Sequence, residues 1–293
     1  MKKILITGAN GQLGRAIRKE YQKESGSVHV ILTDMTESEN ISKLDISSLD
    51  AVMSQVADQR PDVIINCAAY TNVDGCEKDE DMAYRANAIG PRNLAIAAEK
   101  TGAKLFHIST DYVFSGTADK AYDEFDIPDP ISAYGRTKYA GEQFVRDLCT
   151  RFFIMRTAWL YGDGINFYRK MMELSEKTDK IGVVEDQFGS PTSSSELARA
   201  IRYLEPRDEY GVYNATCEGQ CSWADFAERI FKKCNKSTKV ERITSYEYKN
   251  RFPLSASRPK NSVLDNRMFR LIGGGFVMKD WKEAFDEYIK ENV

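Results

Sequence analysis

Tyr134 and Lys138 stand four residues apart in Tyr134-Gly135-Arg136-Thr137-Lys138, where a helix is expected to begin. Side chains at that spacing share one helical face. A Lys ammonium beside a phenol lowers the phenol's pKa and makes it a usable proton donor or acceptor. The same cation can hold a sugar hydroxyl. Upstream, Ser109-Thr110 places hydroxyl donors at the end of a short apolar run. Further upstream, Thr7-Gly8-Ala9-Asn10-Gly11-Gln12-Leu13-Gly14 has the spacing GxxGxxG. Glycines there allow a tight turn and let backbone approach a pyrophosphate at the positive end of a helix. Each feature alone is common, and their order in one chain is what carries information.

The elements that must position these groups are legible as alternating patterns. Apolar runs at 4–7, 28–33, 63–69, 104–109 and 152–157 suit central strands of a parallel sheet. Helical patterns at 12–24, 49–59 and 81–100 lie between them. The alternation predicts an α/β fold, a doubly wound parallel sheet of the Rossmann type over residues 1–158. Residues 159–293 read as a smaller, mostly C-terminal α/β substrate-binding region that partly crosses back into that sheet. Its helices are expected at 167–176, 195–204, 223–234 and 281–291.

Ligands of such sheets bind beyond the carboxyl ends of the strands. The glycine loop, Gly8 to Gly14 with Gln12 and Leu13, is therefore expected to hold a dinucleotide. Asp34 ends the second strand, 20 residues beyond Gly14. A carboxylate there binds ribose hydroxyls and repels a 2′-phosphate, which favours NADH; capping a loop is its plain alternative. Arg15 and Arg18 on the first helix pull toward NADPH, so NADPH or NADH is the cofactor expected. Asp45 and Ile46 are candidate adenine contacts. The small residues around Ala69, Tyr70 and Thr71 would let the cofactor pass close to the sheet edge.

Composition narrows the classes. The 293 residues are 42 % hydrophobic and 29 % charged, with a formal charge of −3. That balance argues against a broad electrostatic grip on nucleic acid and leaves only a local basic groove open. No apolar run approaches the roughly 20 residues that cross a bilayer, and the run after Met1 stops at Thr7-Gly8, so a first strand and a cytoplasmic location are expected. Six scattered cysteines read as free thiols. With His29 and His107 the only histidines, both in strands, no metal site is expected.

TGxxGxxG, then Ser/Thr, then YxxxK resembles the extended short-chain dehydrogenase/reductase superfamily. Longer stretches resemble one family within it, the dTDP-4-dehydrorhamnose reductases. These are Ser109-Thr110-Asp111-Tyr112-Val113-Phe114-Ser115-Gly116, the segment Tyr134 to Lys138 with Gly141-Glu142, Arg156-Thr157-Ala158-Trp159-Leu160-Tyr161, Asp186-Gln187-Phe188-Gly189-Ser190-Pro191-Thr192, and Ser257-Arg258-Pro259-Lys260-Asn261-Ser262. The resemblance implies a catalytic trio of Thr110, Tyr134 and Lys138. It implies reduction of the C4 ketone of a dTDP-4-keto-6-deoxy-mannose, for cell-surface polysaccharide. Asp111 and Trp159 would shape the sugar site, although Trp159 also suits a core. Arg258 offers a planar fork for a dTDP-sugar diphosphate, or a solvated loop charge.

Rival readings differ at single residues. Dehydratases of this superfamily use an Asp-Glu pair after the catalytic Thr; here Tyr112 follows Asp111. An epimerase shares the trio and stays open, as does a non-catalytic regulatory subunit. Some similar bacterial enzymes carry a Glu on the first helix that helps bind Mg²⁺ at a dimer interface. The matching position here is Ala16, so a monomer or a differently built homodimer is expected.

Overall fold

The protein is described here by a computed structural model covering residues 1–23, 26 and 28–292. The apolar runs form strands β1 (Lys2–Thr7), β2 (Val28–Asp34), β4 (Val63–Asn66), β5 (Lys104–Thr110) and β6 (Phe152–Thr157), and the exposed polar pair Ser42–Lys43 adds a short strand, β3, that was not expected. A further strand, Gly211–Asn214, returns from the C-terminal half and pairs in parallel with β6, Val212 opposite Ile154. The sheet runs Gly211–Asn214, β6, β5, β4, β1, β2, β3, all parallel. Strand order reverses between β1 and β4, which opens a crevice at their carboxyl ends.

Six helices of the first half are α1 (Gln12–Gln22), α2 (Leu49–Gln59), α3 (Val73–Lys78), α4 (Glu80–Tyr84), α5 (Gly90–Thr101) and α6 (Ala133–Leu148). Alternate residues of the strands face opposite layers. Ile4, Ile6, Phe106 and Met155 pack with Ile17 of α1 and Leu197 and Ile201 of helix Ser194–Leu204. Leu5, Ile64, Leu105 and Ile154 pack on the other face with Val52 and Val56 of α2 and Leu94 of α5. A separate core of Tyr161, Phe226, Trp281 and Phe285 joins helices Trp223–Lys233 and Trp281–Asn292 outside the sheet. The chain after Ala158 thus supplies that outlying core, the edge strand Gly211–Asn214 and part of one helical layer on the sheet. No helix among the described residues is long and apolar enough to cross a membrane.

Two expected elements differ. The single helix expected over 81–100 is broken into α4, a π-helical turn Arg85–Ile89, and α5. Pro91, at the start of α5, has no N–H for the carbonyl four residues back, and its ring presses toward it. The chain widens at Asn87 to relieve this. The strand expected over 63–69 stops at Asn66, whose side chain accepts the Ala68 N–H at 3.2 Å and turns the chain out of the ladder. Of the expected helix 12–24, Glu24 lies outside the described residues.

Candidate active site

The glycine loop is built by close approach. Gly8 has φ +67°, and a Cβ there would lie 2.6 Å from the Ala68 nitrogen; on Gly14 it would lie 2.4 Å from the Gly8 carbonyl oxygen. Only hydrogen side chains let β1, β4 and α1 converge in this way. Gly11 is the N-cap of α1 and brings no capping side chain, and the first turn holds no acidic residue. The N–H groups of Gln12, Leu13 and Gly14 have no carbonyl one turn back inside α1, which is the arrangement that receives an anion. The residues present therefore fit a dinucleotide pyrophosphate. The Gln12 side chain donates to the Leu160 carbonyl at 3.1 Å and ties the cradle to the second half.

Asp34 accepts the Asn10 N–H at 3.0 Å and the Thr36 N–H at 3.2 Å, one on each oxygen. It fastens the loop and keeps lone pairs for hydroxyls, since a carboxylate accepts about four hydrogen bonds. Arg15 is committed elsewhere, donating to the Asp163 carbonyl at 2.7 Å. Asp45 holds Ser47 through its N–H and hydroxyl, at 2.9 and 2.7 Å. Ile46 is buried in the core against α5, and Asn93 binds its carbonyl at 3.0 Å. Ala69 and Tyr70 are half-buried and Thr71 is exposed. Tyr70 is held at both backbone groups by Asn87, which also donates to the Thr137 hydroxyl at 3.2 Å. Sequence reasoning missed Asn87. A fully buried Asn joins the cofactor loop to the residue before Lys138, and the only signal was an Asn preceding Pro91 by four in an Ala-rich run.

The expected trio is assembled by β5 and α6. Thr110 ends β5, donates to Asp111 Oδ1 at 2.9 Å and accepts the Tyr112 N–H at 3.2 Å. Ser132 caps α6 by accepting the Gly135 N–H at 3.1 Å, and this sets Tyr134 in the first turn. Burial pushes the Tyr134 phenol well up; a hydrogen bond with Thr110 opposes this, while Asp111 and Tyr112 add to it. The phenol is therefore fully protonated at neutral pH. The Tyr112 ring meets it edge-on at 5.5 Å. Lys138 is not among the groups that chiefly move the phenol: its Nζ donates to the Ile108 carbonyl at 2.5 Å. Burial brings Lys138 down to about 8, and Glu142, one turn further along, resists that fall.

Beneath the trio lies a buried polar layer. Arg156 donates through Nε and Nη2 to the two oxygens of Glu142, at 2.9 and 2.7 Å, and Ser109 donates to the same carboxylate at 2.5 Å. The Arg156 guanidinium stands over the Phe114 ring at 5.1 Å. Beside it, Asn66 Oδ1 accepts from Thr7 and Ala68, so its amide nitrogen donates to His107 Nδ1 at 3.1 Å. That places the His107 proton on Nε2, and burial together with Lys138 keeps this ring neutral.

Asp111, also buried, is raised to about 6, chiefly by burial, with Ser262 and Thr110 hydrogen bonds opposing. Two limbs follow for activity. Below pH of about 6 Asp111 gains a proton and becomes a neutral, weaker acceptor for Thr110. Above about 8 Lys138 loses its charge. A bell-shaped kcat/KM profile is expected between them, measured across pH 5 to 9.5 with NADPH or NADH. A rate still rising beyond pH 9 would exclude the Lys138 limb.

The second half closes the site from outside. Thr157 of β6 is the register partner of Thr110, and Trp159 lies two residues beyond. Trp159 has φ +48°, rare for a bulky side chain. Its indole stacks on Trp223 at 3.5 Å and faces Gly189, where a Cβ would sit 2.4 Å from the ring. Backbone strain held by such packing is frequent at ligand sites. Arg258 meets Asp74 at 3.3 Å, and its charge lies close enough to Tyr112 to oppose the rise that burial gives that phenol. It also lines a cavity of about 560 Å³ with Lys170, Ile181, Val183, Gln187 and Trp223. A larger groove, about 1060 Å³, lies at the amino ends of the strands near Lys2, Arg60 and Arg151, away from this chemistry.

An open parallel sheet with an anion cradle at its reversal point, and a Thr-Tyr-Lys group one strand away, defines an extended short-chain dehydrogenase/reductase. A family model described as the RmlD substrate binding domain matches residues 1–293. The chain is 37 % identical over 297 residues to the dTDP-4-dehydrorhamnose reductase of Aggregatibacter actinomycetemcomitans, covering 97 % of each. A crystal structure of a dTDP-4-dehydrorhamnose reductase from Clostridium acetobutylicum superposes with TM-score 0.92 at 48 % identity, covering 99 % of both chains. That of the Bacillus anthracis reductase in complex with NADP gives 0.92 at 42 %, covering 100 % of both. The chain belongs to the dTDP-4-dehydrorhamnose reductase family.

Proposed function

We propose that this chain reduces the C4 ketone of dTDP-4-dehydro-6-deoxy-L-mannose to dTDP-L-rhamnose, with NADPH or NADH as reductant. The observation that carries the reading is the Thr110 hydroxyl set against the protonated Tyr134 phenol at the carboxyl end of β5. Gly8, Gly11, Gln12, Leu13 and Gly14 would hold the dinucleotide, which would supply the hydride for the reduction. Tyr134 gives its proton to the carbonyl oxygen as the C–O double bond becomes single. Thr110 hydrogen-bonds the same oxygen, and Asp111 positions Thr110 beforehand by accepting a hydrogen bond from its hydroxyl. Lys138 turns from the Ile108 carbonyl to the cofactor ribose and supports the phenolate left behind. Trp159 walls the sugar, Arg258 binds the diphosphate, and the apolar side of the cavity at Ile181 and Val183 takes the base. The reaction belongs in the cytoplasm, in a monomer or a homodimer.

The test is NADPH and NADH oxidation with the keto-sugar nucleotide made in place, with the product identified by mass and NMR. Stoichiometric oxidation with dTDP-rhamnose formed supports the reading. A change of sugar without net oxidation would point to an epimerase, and no turnover to a regulatory subunit. Asp34→Asn keeps an acceptor for the Asn10 N–H and removes the charge that opposes a 2′-phosphate. It is expected to move the NADPH/NADH ratio of kcat/KM about tenfold toward NADPH; an unchanged ratio would leave Asp34 with its loop-fastening role alone.

A further inference from the structure

Above the site, one carboxylate ties the two halves together. Asp74, in the first turn of α3, accepts the Ala256 N–H at 2.8 Å and the Arg258 guanidinium at 3.3 Å, both on Oδ1. The chain just beyond is held independently, because the Asn261 amide donates to the Ala118 and Lys120 carbonyls and Phe188 N–H donates to Lys260. The chain just before is held to its own helix, Ser245–Arg251. Phe252 and Leu254 are 54 % and 82 % exposed, and the Ser255 hydrogen bonds stay with Lys249 and Phe252. Segment 252–258 is thus a strap over the cleft mouth, and Asp74 fastens it to the first half by two hydrogen bonds.

The Asp74–Arg258 contact is a weak one for its kind. Arg can grip a carboxylate with two parallel N–H bonds, yet here a single Nη2 reaches a single oxygen at 3.3 Å, with the carboxylate 44 % exposed. Pairs this open contribute little in water. Arg258 also lines the cavity, so the same guanidinium has a second place to turn. A diphosphate offers more acceptors and more charge than Asp74.

We propose that Asp74 is a positioning residue that parks Arg258 at the cleft mouth and is displaced from it by the diphosphate of the nucleotide sugar. The Ala256 N–H stays on the carboxylate, so the strap remains in place while Arg258 swings inward. The inference rests on the reading of Arg258 as the diphosphate ligand. Asp74 is then a built-in competitor: it weakens diphosphate binding and leaves binding of the uncharged nucleoside alone.

Calorimetric titration of the full chain with dTDP and with thymidine separates these effects. Asp74→Asn keeps an acceptor for Ala256 and removes the competing charge. It is expected to bind dTDP about two- to fivefold more tightly, with thymidine affinity unchanged. Damage to the strap would weaken both ligands instead. Unchanged or weaker dTDP binding by Asp74→Asn overturns the proposal, and so does equal tightening by the same change in an Arg258→Ala background. Arg258→Ala alone tests the underlying reading. If it leaves dTDP affinity intact, Arg258 is not the diphosphate ligand and both ideas fall. If it weakens dTDP while Asp74→Asn tightens nothing, only the Asp74 role falls.

Discussion

Tyr134→Phe is expected to lower kcat by about 10²–10⁴-fold, the range a positioned proton donor supplies, with cofactor binding nearly unchanged. The substitution removes one oxygen and little else. The ring keeps its edge-on contact with Tyr112, and the α6 cap at Ser132 involves the Gly135 backbone rather than the phenol. Burial holds the native phenol protonated through the neutral range, so it carries its proton when substrate arrives. In the variant, Thr110 still reaches the carbonyl oxygen but has no proton to yield at a comparable pKa. Hydride addition would then build an alkoxide that only water can quench. Steady-state turnover gives the loss, and fluorescence titration with NADPH checks binding. Activity within severalfold of the native chain would remove Tyr134 as the donor.

Glu142→Ala is expected to cost about 3–5 kcal/mol of folding stability, the usual consequence of leaving one buried charge without its partner. Both side chains are sealed, at 1 % and 0 % exposure, and joined by two hydrogen bonds, with Ser109 on the same carboxylate. Arg156 Nη1 already lacks a hydrogen-bond partner, so this cation has no spare acceptor to fall back on. The loss is a large part of the roughly 5–15 kcal/mol that holds a typical domain folded. Urea denaturation measures it. Replacing Glu142 and Arg156 together by Leu and Met is expected to recover much of the stability, because apolar pairs of similar volume often match a buried ion pair. If the single variant lost under 1 kcal/mol, water would have to reach Arg156. Glu142 also resists the loss of the Lys138 proton. The basic limb of the double variant's activity is therefore expected to move to lower pH even where stability returns.

Short-range rules made much of this protein legible in its sequence. The strand and helix alternation, the glycine turn, helix α2 over residues 49–59 and strand β6 over 152–157 all depend on neighbours within a few residues. Periodicity and turn chemistry act at that range. The same holds for Thr110, Tyr134 and Lys138, since a strand end and a helix face are local features and the sheet's reversal point does the rest. Pro91 was local too, and its weight against an Ala-rich helical pattern was what the π-helical turn revealed.

Only the tertiary structure decided the partners. Glu142 meets Arg156 because α6 lies across β5 and β6; Asn87 spans from the Tyr70 backbone to Thr137; Trp159 finds Trp223; and Asp74 reaches Arg258 across 184 residues. Nothing in a residue's own neighbourhood specifies a contact at that separation. Which charges are buried in pairs, which phenol is desolvated and which guanidinium is left weakly held are properties of the packed sheet and of the chain that returns to it. They follow from dielectric and distance, which exist only once the fold has formed.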